Sequence, residues 1–352
     1  MSDETMPHEP LLSISRVAAL VSPDRRKVTR RRDASLNVRR IVLLVLALVL
    51  AHVVSGESSS IPRQSTTNGS TNANHADAPD LCLVKGGQTG IEGKYSAIDE
   101  FLSERDPQKS SLARFHIHGW RWHTASLVRE SGRLCTLAQR AKSAEEGDDS
   151  ETMAKALQQA ADYVVGFNMK GLHRIEADLM FPWMREKLTS IKDLAGEVSR
   201  EFSSVMSQLE SDRKSLVELG DSIIKSVTVA TDTKSNHGRR NEAFQDVIEK
   251  SASMQSYARN MMDVENNLLV PAIAKIVPES EQHSFNNKVL RNLGLLDSRL
   301  HLVAMYEAIE ESGNAEEKAL FEQAIPSIPQ MMIPRWKRKL YEPKAGVLDT
   351  EL

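Results

Sequence analysis

Glu176 and Glu265 occupy matching places in two copies of one segment. Residues 172–184 read LHRIEADLMFPWM, and residues 261–273 read MMDVENNLLVPAI. Leu172/Met261, Ile175/Val264, Glu176/Glu265, Leu179/Leu268, Met180/Leu269 and Pro182/Pro271 align at a separation of 89 residues. Each copy places its glutamate on the apolar stripe of a helix. A carboxylate does not stay in an apolar core without a partner. Two carboxylates on facing helices could share a cation, so the chemistry these residues suggest is metal binding rather than catalysis. The alternative is metal-free: Arg129, Arg174 or Arg259 could pair with the glutamates, or His123 could hydrogen-bond them.

The elements that must carry these residues are helical. After residue 90 glycine and proline are sparse, and apolar residues recur at helical spacing. A first helix is expected from about Pro107 to Lys142, with His116, Trp120, His123, Leu127, Glu130, Leu134 and Leu137 on one face. His116 then lies two turns from His123, about 10 Å by helical rise, too far to share an ion with it. A second helix spans about Asp149–Thr189 and carries Glu176, with Pro182 kinking or interrupting it near 179–181. A third, about Ile191–Val229, has the stripe Leu194, Val198, Phe202, Met206, Leu209, Leu216 and Ile223. A fourth, about Glu242–Ile276, carries Glu265 and repeats the proline at Pro271. A fifth covers about Phe285–Glu311, in one piece or two, with His301 beside its stripe. Long helices with short polar connections predict an all-α fold: an antiparallel four-helix bundle plus a C-terminal helix. Pro326, Pro329, Pro334 and Pro343 and the basic run Arg335–Lys339 suggest that 326–352 is an extended tail.

The N-terminal 80 residues differ in kind. Residues 1–40 are rich in arginine, and Ile41–Ala51 is an uninterrupted apolar run. Residues 41–56 read as a signal-anchor or a cleaved signal peptide. Either way the arginines stay cytosolic and residues 57–352 face the lumen or the outside. The expected product is a single-pass type II membrane protein, or a secreted one. Residues 57–80 form a Ser/Thr/Asn-rich stem, and Asn68-Gly69-Ser70 is an N-glycosylation sequon within it. The domain proper is then 81–325. Cys82 and Cys135, alone in the chain, could pair in an oxidising lumen. A net charge of −3 leaves no nucleic-acid footprint. There is no glycine-rich phosphate loop, HExxH or nucleophile elbow.

Residues 110–275 resemble the hemerythrin-like (HHE cation-binding) domain. The run His123-Thr-Ala-Ser-Leu-Val-Arg129-Glu130 fits the family's first helix. Glu176 before Phe181-Pro182, and Glu265 before Val270-Pro271, fit the carboxylate halves of its His-x-x-x-Glu motifs. The resemblance implies a four-helix bundle holding two iron ions between its helices. This chain departs from the pattern at three nitrogen ligands. Leu172 and Met261 stand where histidines precede the glutamates, and the third helix has no histidine. What remains is a mononuclear set of His123, Glu176, Glu265 and His173 for iron, manganese or zinc, with His301 a further contributor from outside. The competing expectation is a metal-free helical module. It would bind a protein partner, whose identity the sequence leaves unknown, through a bundle face or the HIHGWRW segment at 116–122.

Overall fold

The computed structural model describes residues 82, 93–103, 112–145, 147–189 and 196–351. The basic tail, the 41–56 segment, the stem and Asn68 lie outside them. All regular structure among the described residues is helical, and no helix there is long and apolar enough to cross a membrane.

After a short helix α1 (Ser96–Ser103), four long helices follow. They are α2 (His118–Ser143), α3 (150–189), α4 (Gly196–Ala230) and α5 (237–276). Helix α2 packs on α5, α5 on α4, α4 on α3 and α3 on α2, so four apolar stripes meet around one core. Helix α2 starts at His118, with Leu112–Arg114 a single 3₁₀ turn before it. His116 therefore precedes the helix instead of extending its face.

The duplicated segments fold alike. The α-helical pattern widens to π turns over Glu176–Met180 and Glu265–Leu269, then resumes at Phe181 and Val270. Proline explains both. Pro182 and Pro271 have no N–H to donate, and their rings crowd the carbonyl four residues back. The residue before each proline reaches one residue further: Phe181 N–H bonds Glu176 O, and Val270 N–H bonds Glu265 O. The expected break at Pro182 is thus a one-residue expansion within a continuing helix. Such turns are frequent where helices carry function, and here each begins on a buried glutamate.

The fifth expected helix is two pieces, α6 (Glu279–Leu293) and α7 (Leu295–Ser312). Gly294 joins them at φ +75°, a backbone that glycine adopts without strain. The tail is not extended, which corrects the expectation for 326–352. After α8 (Ala315–Ala324) the chain forms α9 (327–345) and a 3₁₀ turn, Gly346–Asp349. Pro326 caps α9 and Pro329 sits in its first turn, where a missing N–H costs nothing. A π turn at Lys337–Tyr341 likewise precedes Pro343, at the same spacing as the Glu176 and Glu265 turns; the remaining π segment, Asp162–Met169 of α3, has no such proline. Tyr341 then reaches the wholly buried Glu130, donating its O–H to Oε1 at 2.5 Å. Arg129 and Arg133 complete that cluster at 2.7 and 2.6 Å from the same carboxylate. The C-terminal segment is therefore part of the domain.

Cys82 and Cys135 form a disulfide that ties the segment before α1 to the buried side of α2, across 53 residues of sequence. A cross-link over a loop of that length restricts the unfolded chain, and its removal typically costs about 2–4 kcal/mol. Cys82→Ala should lower the free energy of unfolding by that amount, with a correspondingly lower urea midpoint, and reductant should destabilise the wild type equally. A midpoint indifferent to reductant would show that the bridge does not form.

Candidate functional site: a buried carboxylate pair with an internal guanidinium

The π turns of α3 and α5 carry Glu176 and Glu265 into the core, where both side chains have no exposed surface. The cation that meets Glu176 is Arg213, on the facing side of α4. Its guanidinium, only 2% exposed, ion-pairs with Glu176 through Nη2. Trp120 on α2 donates its indole N–H to the other oxygen of Glu176 at 3.0 Å. None of the three arginines expected from the sequence takes this place; Arg129 is engaged with Glu130 and Glu311. Arg213 lies four residues after Leu209 and three before Leu216, inside the α4 stripe. An arginine at that spacing was the available signal.

The charges balance if one carboxyl stays protonated. Burial raises the Glu176 pKa, and the Arg213 and Trp120 contacts oppose that rise. Burial raises Glu265 further, and the neighbouring Glu176 adds to it, against weaker relief from Arg213. A guanidinium does not lose its proton in proteins. The shifts thus favour charge on Glu176, beside Arg213⁺, over charge on Glu265, which holds its proton the more tightly. Thr124 works against the rise. Its Oγ lies 3.3 Å from Trp120 O and 3.2 Å from Glu265 Oε2. Its hydroxyl donates to Glu265, a contact that lowers the Glu265 pKa and only partly offsets the rise from burial and Glu176.

His123 is buried on α2 but faces Asn168 of α3, with Nε2 and Oδ1 3.0 Å apart. Ser126 closes the other side of that amide. Burial holds the His123 pKa down at about 4, despite the Asn168 contact. His301 from α7 lies against it, ring centres 4.4 Å apart, and stacks on Phe167 at 4.2 Å. That approach requires Gly171: a Cβ there would come within 2.6 Å of the His301 ring. Burial, then the neighbouring His123, pushes His301 well below the usual imidazole value. His173 is only half-buried, and its pKa falls through burial and the positive charge of Arg213.

The HIHGWRWH run disperses. His116 faces α6. His118 is buried between Phe115 and Trp122 and is held down at about 4, burial being the main cause. Trp120 serves Glu176, Trp122 donates to Glu317 at 2.8 Å, and His123 enters the core.

Of the four ligands expected from sequence, the fold thus brings Glu176 and Glu265 together and sends His123 and His173 elsewhere. No three of the four place donor atoms within reach of one ion. Glu176 is already paired with a guanidinium that cannot leave without stranding the carboxylate in an apolar core. Iron, manganese or zinc does not fit this arrangement as it stands. Compared with protein-family models, curated proteins and solved structures, the chain matches none.

Proposed function

We propose that this protein is a hemerythrin-like four-helix bundle in which Arg213 replaces the interhelical metal, and that it serves as a structural or interaction module with a metal-free core. The observation that carries this reading is the buried ion pair of Arg213 with Glu176, with the equally buried Glu265 beside it. A helix that lacks the family's histidine instead brings its own permanent cation to the same carboxylates. Buried His123, beside Asn168, and His301, stacked on Phe167, fill the remaining core as packing side chains rather than as ligands. The Cys82–Cys135 disulfide supports a position on the lumenal or outer side of a membrane, or secretion, since such bridges persist in oxidising compartments.

The test is metal content. The full chain is incubated with Fe(II), Mn(II) or Zn(II), desalted and assayed by elemental mass spectrometry, beside Glu265→Gln. The expected result is that Glu265→Gln leaves metal content unchanged. Near-stoichiometric metal that this substitution removes would instead establish the alternative, a divalent cation held by Glu176, Glu265 and His123.

A further inference from the structure

A second constellation of metal-binding side chains lies at the domain surface, away from the buried carboxylates. Glu279 and His283 are one turn apart on α6, so both side chains rise from one face. His116, just before α2, completes a trio whose donor atoms all lie within 4.8 Å of one another. Both imidazole Nε2 atoms address the same carboxylate oxygen, Glu279 Oε1, at 3.7 Å from His116 and 3.3 Å from His283. The two rings are 4.7 Å apart. A tetrahedral ion with bonds of about 2.0–2.1 Å spaces its ligands roughly 3.3–3.4 Å apart, so rotamer adjustments alone would close the set.

The backbone holds this trio in register. Gln282, wholly buried on α6, accepts from the His116 N–H at 2.8 Å. Its amide also donates to Arg114 O at 3.1 Å and Val277 O at 2.9 Å. Asn286 donates to the His116 carbonyl. Residues 279, 282, 283 and 286 share one helical face. The helix that supplies two donors therefore also grips the main chain that supplies the third. A solvated surface ion pair needs no such clamp, whereas a metal site depends on groups that fix its ligands in place.

We propose that His116, Glu279 and His283 bind a divalent transition-metal cation, zinc being the ion this donor set suits best. Two imidazoles and one carboxylate leave a coordination position for water. This site is independent of the metal-free reading of the core.

The test is titration of the full chain with Zn²⁺ by calorimetry, and with Co²⁺ by visible absorption. The expected result is one saturable equivalent, weakened at least tenfold by Glu279→Gln and by His283→Ala. Both side chains are largely exposed, at 68% and 54%, so both variants should keep wild-type helical circular dichroism. Binding should persist in the Glu176→Gln/Glu265→Gln double variant. No saturable binding to the wild type, or binding that neither surface variant weakens, overturns the proposal and leaves the core reading intact. Binding lost only in the core double variant overturns both.

Discussion

Arg213→Met should destabilise the protein by about 3–5 kcal/mol at pH 7, the scale of stranding one partner of a buried ion pair. The replacement keeps most of the side-chain bulk, so the loss reports charge and not a cavity. Glu176 would then be a carboxylate in an apolar core with only the Trp120 N–H to hold it. It would escape by taking up a proton, which makes the loss depend on pH. A carboxyl whose folded pKa is raised favours the fold below its unfolded value near 4.3. That contribution is lost as pH rises towards the folded pKa, by about 1.4 kcal/mol per unit. The deficit of the variant against the wild type should therefore shrink towards pH 4–5. Adding Glu176→Gln should restore most of the stability, because the amide still accepts from Trp120 and carries no charge. Urea titrations of the four proteins at pH 5 and pH 7 give the full cycle. If the double variant is as unstable as Arg213→Met alone, the guanidinium does not act by neutralising Glu176.

Acid should unfold this protein through its histidines. His123 has a folded pKa of about 4, against about 6.5 when unfolded. A depressed imidazole contributes stability that is present above 6.5 and is lost as pH falls towards 4. That difference is worth about 3 kcal/mol for His123. His301, shifted further by burial and by His123, adds to the loss in the same window. Urea midpoints should therefore fall steeply between pH 6.5 and 4.5, and His123→Gln should flatten that slope. A chelator should leave the slope alone, because no metal holds these imidazoles neutral. A chelator-sensitive slope would contradict the assignment.

Much of this core was legible in the sequence because its signals are periodic. The copy at 172–184 and 261–273 announced two equivalent helices, and both π turns follow from the proline six residues beyond each glutamate. The lone cysteine pair was readable as a bridge in an oxidising compartment. Arg213 was missed although it lies on the α4 stripe. A search for histidine ligands directs attention to what α4 lacks, and a guanidinium supplies the same charge with different chemistry. His116 was assigned to the α2 face because periodicity does not mark where a helix begins; Ile117, at φ −105° and ψ 42°, ends the pattern one residue later. The tail was misread because its prolines suggested extension, whereas Pro326 and Pro329 stand where a helix starts.

The charge state of Glu265 bears most directly on the central claim that one guanidinium balances the buried pair. We would record the carboxyl infrared bands of the wild type at pH 7, with Glu265→Gln and Glu176→Gln as references. The expected spectrum contains a protonated, buried carboxyl band that vanishes in Glu265→Gln and persists in Glu176→Gln. Two ionised carboxylates at pH 7 would require a second cation between α3 and α5, and would return a metal ion to the core.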